Sequence, residues 1–291
     1  MLKKINDVSV KKINLPTVDI SKIKGFEFIP TLYTTIFICA RRRTGKTTII
    51  NTLLKNLTNK ETTVIFFVGT INRDPSYKKM MEYLDSKDIN YEKYDSIYEN
   101  GKNYLAEFME RLREEHEEEE ENKDSDEDDN DKYCELKYHD DDHICDDKVC
   151  FHRHDNEIRI KIRNTKPKKI CCKYLLIFDD ISSQLRNNPL LTKLLKMGRH
   201  FKCTVIMSSQ YIHDLEPQAL ENVDYYLLLK GHRSEKIKKV YEYSDPVITY
   251  ENFLQLYKKA TQDNYNFFYV DKNNSSYRKN FNEEFIIDDL E

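Results

Sequence analysis

At 291 residues the chain is long enough for one large α/β domain carrying an insertion, and its net charge of −4 hides a strong asymmetry. Between Glu114 and Asp131 there are thirteen acidic residues and one lysine, so the remainder is basic by eight, a balance suited to a polyanionic partner such as nucleic acid. Seven scattered cysteines exclude a disulfide framework and point to a reducing compartment, and the opening MLKKINDVSV lacks the apolar core of a signal peptide, while no later apolar run reaches membrane-spanning length.

Residues 1–30 are mixed and Lys-rich and read as an N-terminal arm or short extra strands. LYTTIFIC is a β-branched and aromatic run of strand length, and Ile49, Ile50, Leu53, Leu54 and Leu57 then repeat at helical spacing. Between them stands ARRRTGKTT, residues 40–48, the second half of a phosphate-binding loop in which Gly45, Lys46 and Thr47 are in register and Ala40 replaces the first glycine. Ala is tolerated there if its φ is negative, as a final strand residue's would be. Strand, tight loop and helix are the context that such a loop requires. Ala40, Arg41, Arg42, Arg43, Thr44, Gly45, Lys46, Thr47 and Thr48 form the predicted nucleotide-binding set. The arginine side chains are expected to point outward while their amides face the anion.

TTVIFFVG (62–69) predicts a second buried strand, Pro75 to Leu84 a helix, and Tyr104, Leu105, Phe108, Met109 and Leu112 a helix over 101–114. From about 114 through about Asp147 apolar content falls too low to repay the entropy of ordering, which predicts a solvated, mobile insertion within bounds of about 114–156. EIRIKIRN (157–164) alternates as an exposed strand. Within CELKYHDDDHICDDKVCFHRH, Cys145 and Cys150 with two of His139, His143, His152 and His154 offer four zinc ligands, with Cys145, Cys150, His152 and His154 the set singled out. The spacing is irregular, and a metal-free loop is the alternative.

KYLLIFDD (173–180) is a third buried strand ending in two carboxylates. In NNPLLTKLLKMG, Asn188 is the N-cap of a helix, Pro189 its first-turn residue and Gly198 its stop. KCTVIMSSQ and DYYLLLKG (224–231) are a fourth and fifth strand, Cys39 and Cys203 being core residues. Helices over 235–243 and 250–260 and YNFFYVD (265–271) complete the ordered domain, leaving 272–291 as a C-terminal tail. Continuous apolar strands alternating with helices predict a mainly parallel central sheet covered on both faces, with all strand C-termini on one ligand-binding edge.

On that edge Lys46 would follow the β- and γ-phosphates, and Thr47 and Asp179 would hold Mg²⁺. Asp180 would polarise the attacking water and Gln210 would orient it or sense the γ-phosphate. A capping pair at a strand end is the plainer reading of Asp179 and Asp180. Arg199 precedes a strand and so lies on the opposite edge, where it would act only across a subunit boundary; Arg186 and Arg233 are alternatives, and surface salt bridging is the plain reading.

ARRRTGKTT, LLIFDD, GRHFKCTVIMSSQ and VDYYLLLKG in this order resemble the poxvirus-type DNA-packaging ATPases of large cytoplasmic double-stranded DNA viruses, within the FtsK/HerA superfamily. The resemblance spans roughly residues 30–271 without the insertion. It implies a RecA-like P-loop ATPase that assembles into a homo-oligomeric ring and uses ATP and Mg²⁺ to move double-stranded DNA into a preformed capsid. A capsid or portal protein is the implied anchor, and the virion or host cytoplasm the implied location. It matches Lys46 and Thr47 to the Walker-A pair, Asp179 and Asp180 to the Walker-B pair, Gln210 to the polar sensor and Arg199 to a finger segment. Ala40, and Asp180 where Glu is more usual, depart from the pattern. A P-loop small-molecule kinase and a non-enzymatic nucleotide-dependent assembly scaffold are the competing readings.

Overall fold

The computed structural model describes residues 18–126, 138–139, 149–154, 157–162 and 169–287, with side chains described for 18–121 and 169–287. The described residues open with a 3-10 turn at Ile20–Lys22, capped by Asp19, and Ile23 then bridges Ile170. The first half contains β1 (Thr35–Cys39), α1 (Lys46–Leu57), β2 (Thr63–Val68), α2 (Pro75–Ser86), β3 (Tyr91–Tyr94), a hairpin of β4 (Tyr98–Glu99) and β5 (Lys102–Asn103), and α3 (Tyr104–Asp126). Next, β6 (Tyr138–His139), β7 (Val149–His154) and β8 (Glu157–Ile162) pair among themselves. The second half contains β9 (Tyr174–Asp179), α4 (Ser182–Leu185), α5 (Pro189–Met197), β10 (Cys203–Ser209), α6 (Pro217–Glu221), β11 (Tyr225–Leu229), α7 (Ser234–Ser244), α8 (Tyr250–Ala260), β12 (Phe267–Asp271), β13 (Ser276–Lys279) and β14 (Glu283–Glu284).

Nine strands form one sheet in the order β14-β13-β12-β11-β1-β10-β9-β2-β3. From β11 to β3 all neighbours are parallel, and β12, β13 and β14 close one side antiparallel. The strand pleat divides the apolar residues between two cores. Phe37 and Cys39 of β1 face α3, α5, α7 and α8, whereas Ile36 and Ile38 face α1 and α2. All five apolar positions read at helical spacing in α1 are buried in the second core, with Tyr77, Met80 and Leu84 of α2.

The reversal at β12 follows from the connection before it. One crossover helix returns a chain to the start edge and gives a parallel neighbour. Here two helices, α7 and α8, run out and back, so the chain re-enters at the edge it left and Phe267 pairs with Leu229. This loop therefore ends beside the phosphate-binding turn.

Two expectations need correction. The acidic segment does not leave the fold at 114: α3 continues to Asp126 because Glu115 and Glu119, four residues apart on one face, meet Lys173 at 2.9 and 3.0 Å and Lys202 at 2.7 Å. Much of the remaining insertion, including Cys145, lies outside the described residues, as do the side chains of Cys150, His152 and His154. Residues 272–287 are not a tail. Asp271 accepts hydrogen bonds from the Asn273 and Asn274 amides, closing a turn into β13, and Phe285 packs on the first core. Gly198 stops α5 as expected, as its C-cap and in a right-handed conformation, and a left-handed residue, Lys202 with φ 54°, follows before β10. Asn188 and Pro189 cap and open α5 as expected. None of the described helices is long and apolar enough to cross a membrane.

Candidate active site

The parallel strands β11, β1, β10, β9 and β2 all end on one edge, and the loop from β1 into α1 lies across it. Ala40 is buried and is absent from the positive-φ residues, and its amide donates to Ser209 O at 2.9 Å. It still belongs to the ladder, so no glycine is needed there. The sharp bends come later, at Arg43 with φ 62° and Gly45 with φ 103°. Gly45 is the N-cap of α1 and supplies no side-chain cap, so the first-turn amides are left to an incoming anion at the positive end of the helix dipole. Arg41, Arg42 and Arg43 are exposed, and Arg41 Nη1 donates to Gly231 O at 3.2 Å. Thr44 Oγ1 donates to Arg41 O at 2.7 Å and tightens the loop.

Lys46 opens α1 and its Nζ lies 2.7 Å from Asp179 Oδ1 and 2.6 Å from Asp180 Oδ1. Burial disfavours its charge, but the two carboxylates outweigh that and hold its pKa above the ordinary lysine value. Asp179, only 1% exposed, is pushed up by burial and by Asp180, partly offset by Lys46. Its Oδ2 accepts from Tyr77 Oη at 2.6 Å, while its Oδ1 faces Lys46 as an ion pair without a well-directed hydrogen bond. That oxygen retains accepting capacity, and Thr47 stands one residue beyond Lys46 in the first helical turn. This donor set fits a hydrated hard cation such as Mg²⁺.

Asp180 takes a left-handed φ of 54° just past β9, and Thr70 Oγ1 donates to its Oδ2 at 3.2 Å. Strain of this kind concentrates at functional sites. Gly69 makes the bend possible: a Cβ there would stand 2.5 Å from Asp180 O. Asp180 is thus brought to Lys46.

Gln210 follows β10 directly and lines a cleft of about 910 Å³ with Arg41, Arg43 and Thr44. Its carbonyl accepts from Lys236 Nζ at 3.3 Å, and it is on the expected edge but not in contact with Lys46. Arg199 is on the other edge. Its Nη2 donates to Asp224 Oδ1 at 2.9 Å, so it belongs to no site with Lys46 of the same chain. Thr48 lies in the first turn of α1, and its carbonyl accepts from Thr52.

Sequence reasoning missed Gly69, Thr70, Tyr77 and His232. Gly69 and Thr70 had a signal, since they close the second strand on the same edge. Tyr77 had none beyond its place on the apolar face of α2. His232 Nε2 lies 2.9 Å from Cys39 O and so carries the ring proton; burial lowers its pKa, partly offset by that bond.

The model of the family described as Poxvirus A32 protein matches residues 146–279, a stretch that includes Asp179, Asp180, Arg199 and Gln210 but not the phosphate-binding loop. No curated protein matches the chain in sequence. Among solved structures, B204, the DNA-packaging ATPase from Sulfolobus Turreted Icosahedral Virus, is 15% identical with a TM-score of 0.49, covering 86% of this chain and 97% of that one. The genome packaging NTPase B204 from Sulfolobus turreted icosahedral virus 2 in complex with AMP is 14% identical with a TM-score of 0.49, covering 85% and 96%. Over residues 146–279 the chain therefore matches the Poxvirus A32 protein family, in agreement with the poxvirus-type resemblance of its motifs.

Proposed function

We propose that this protein is an ATP-hydrolysing motor of viral genome packaging: a RecA-like P-loop ATPase that works in a ring and moves double-stranded DNA into a capsid. The observation that carries the reading is Lys46 Nζ held between Asp179 and Asp180 at the N-terminus of α1. A lysine at a helix N-terminus binds terminal phosphates, and two adjoining carboxylates serve a metal and a water. The match to the Poxvirus A32 protein family supports the packaging role.

In this reading the amides of residues 41–47 bind the phosphates, and Lys46 leaves its carboxylate partners for the γ-phosphate. Thr47 and Asp179 would hold Mg²⁺, which would supply charge neutralisation to the phosphates. Asp180 takes the proton of the attacking water, its short side chain carried forward by the left-handed turn. Gln210 orients that water or senses the γ-phosphate. Arg199 serves the nucleotide of a neighbouring subunit, since the edge that carries it would face the next protomer's phosphate loop. The basic residues beside the loop engage the DNA backbone without sequence readout. A capsid or portal protein anchors the ring, within virions or the cytoplasmic sites where they form.

ATPase rates with and without long duplex DNA, at low and high salt, test this reading. Stimulation by DNA that weakens as salt rises is expected. No stimulation at either salt would overturn the motor and favour a kinase or a scaffold.

A further inference from the structure

Tyr265 is placed in a way that packing does not explain. It is an aromatic residue with φ 67°, a conformation bulky side chains avoid, and it is 71% exposed. Among the described residues no aromatic or cationic side chain stacks on its ring. Its ring does meet the phosphate-binding loop: a Cβ on Gly45 would lie 3.3 Å from Tyr265 Cδ1. The preceding helices explain how it arrives there, because α7 and α8 return the chain to the ligand edge just before β12. Lys230 Nζ fastens this loop, donating to Gln262 O at 2.6 Å and lying 3.5 Å from Asn264 Oδ1.

Strand order fixes the direction in which a nucleotide would lie. Asp179 ends β9 and Asp180 follows it, and β9 is separated from β1 by β10 on one side. Tyr265 precedes β12, separated from β1 by β11 on the other side. A triphosphate whose terminal phosphate faces the carboxylates must extend its nucleoside away from them, across Gly45. There the 910 Å³ cleft opens, with Thr44, Lys230, Asn264 and Tyr265 among its walls. A flat, exposed ring at the far end of a phosphate site is suited to stacking a base.

We propose that Tyr265 is the platform on which the base of the bound nucleoside triphosphate stacks, with Asn264 and Lys230 at its rim. The proposal rests on the triphosphate reading of Lys46. It makes Tyr265 a determinant of affinity for the nucleoside and not for the phosphates, and it gives the strained loop a purpose.

The test compares Mg-ATP and inorganic tripolyphosphate binding, by calorimetry, in wild type, Tyr265→Ala, Tyr265→Phe and Lys46→Ala. Tyr265→Ala should weaken ATP about tenfold or more. It should leave tripolyphosphate unchanged, and Tyr265→Phe should restore ATP to within about twofold, since either ring presents a π-face. Unchanged ATP affinity in Tyr265→Ala, or an equal loss of tripolyphosphate, would overturn the platform alone. Lys46→Ala should weaken both ligands. If it binds both as well as wild type, the triphosphate reading fails, and the platform with it.

Discussion

Both edges of the sheet hold a buried aspartate against a basic side chain, yet the two aspartates are satisfied very differently. On the far edge Asp224 Oδ2 accepts from Thr34 Oγ1 and the Thr35 amide, both at 2.8 Å, and its Oδ1 accepts from Arg199 and from Asn273 Nδ2, both at 2.9 Å. Four donors fill the carboxylate, and it has nothing left to offer a ligand. On the near edge Asp179 has one well-directed donor, Tyr77, and shares Lys46 with a second carboxylate. A buried and an exposed acid beside one lysine form an arrangement that a nucleotide and metal would complete. Saturation marks Asp224 as a structural carboxylate, while the Arg199 side chain bonded to it stays largely exposed; unfinished pairing is the pattern of a reactive carboxylate.

The comparison can be broken first at Arg199, where the largest effect is expected. Arg199→Ala should lower turnover about 10³-fold in the assembled protein, the scale of a lost arginine finger. Nucleotide affinity of the isolated protomer should not change, because Arg199 touches only the structural edge of its own chain. Equilibrium binding and concentration-dependent ATPase assays separate these. Lost affinity in the isolated protomer would contradict the division between edges.

A smaller loss is expected at Gly69. Gly69→Ala drives a methyl group into Asp180 O, and a displacement of about 1 Å at a reacting group costs on the order of 10² in rate. Steady-state kinetics should show this mainly in kcat. A variant with wild-type kcat would mean that Asp180 need not occupy its strained position.

The smallest effect belongs to α3. Hydrogen bonds from Lys202 and Lys173 hold the Glu119 pKa down to about 2. A depressed carboxylate contributes stability above its ordinary pKa and loses it as pH falls toward the folded value. Glu119→Gln should therefore destabilise by less than about 1 kcal/mol near neutrality, given its exposure. The gap to wild type should close as pH falls below 4.5 toward 2, as read from denaturant midpoints. A gap independent of pH would show that the ion pairs do not anchor this helix.

Sequence carried the near edge well because its chemistry is local. Gly45, Lys46 and Thr47 are adjacent, Asp179 ends a continuous apolar run, and strand periodicity placed both on one rim. Elements with mixed polarity were harder to read. In β3 Glu92 and Lys93 interrupt the pattern between two tyrosines, and β13 sits among Asn and Ser residues that read as tail. The length of α3 beyond Leu112 depends on Lys173 and Lys202, more than fifty residues away, which no local pattern shows. Tyr77 and Tyr265 were invisible for the same reason: each is defined by a partner distant in the chain. The missing first glycine of the loop, by contrast, was legible, since Ala40 continues the strand with an ordinary backbone. Its replacement by Ala40 is harmless because the strain falls at Arg43 and Gly45.

The central claim is that the near edge divides the work, Asp180 acting on the water while Lys46 and the loop bind the nucleotide. Single-turnover hydrolysis by Asp180→Asn, with ATP affinity measured on the same sample, tests it. The account predicts affinity within a few-fold of wild type and hydrolysis slowed about 10²- to 10⁴-fold, the range of a lost general base. Hydrolysis at the wild-type rate from a fully bound enzyme would contradict it.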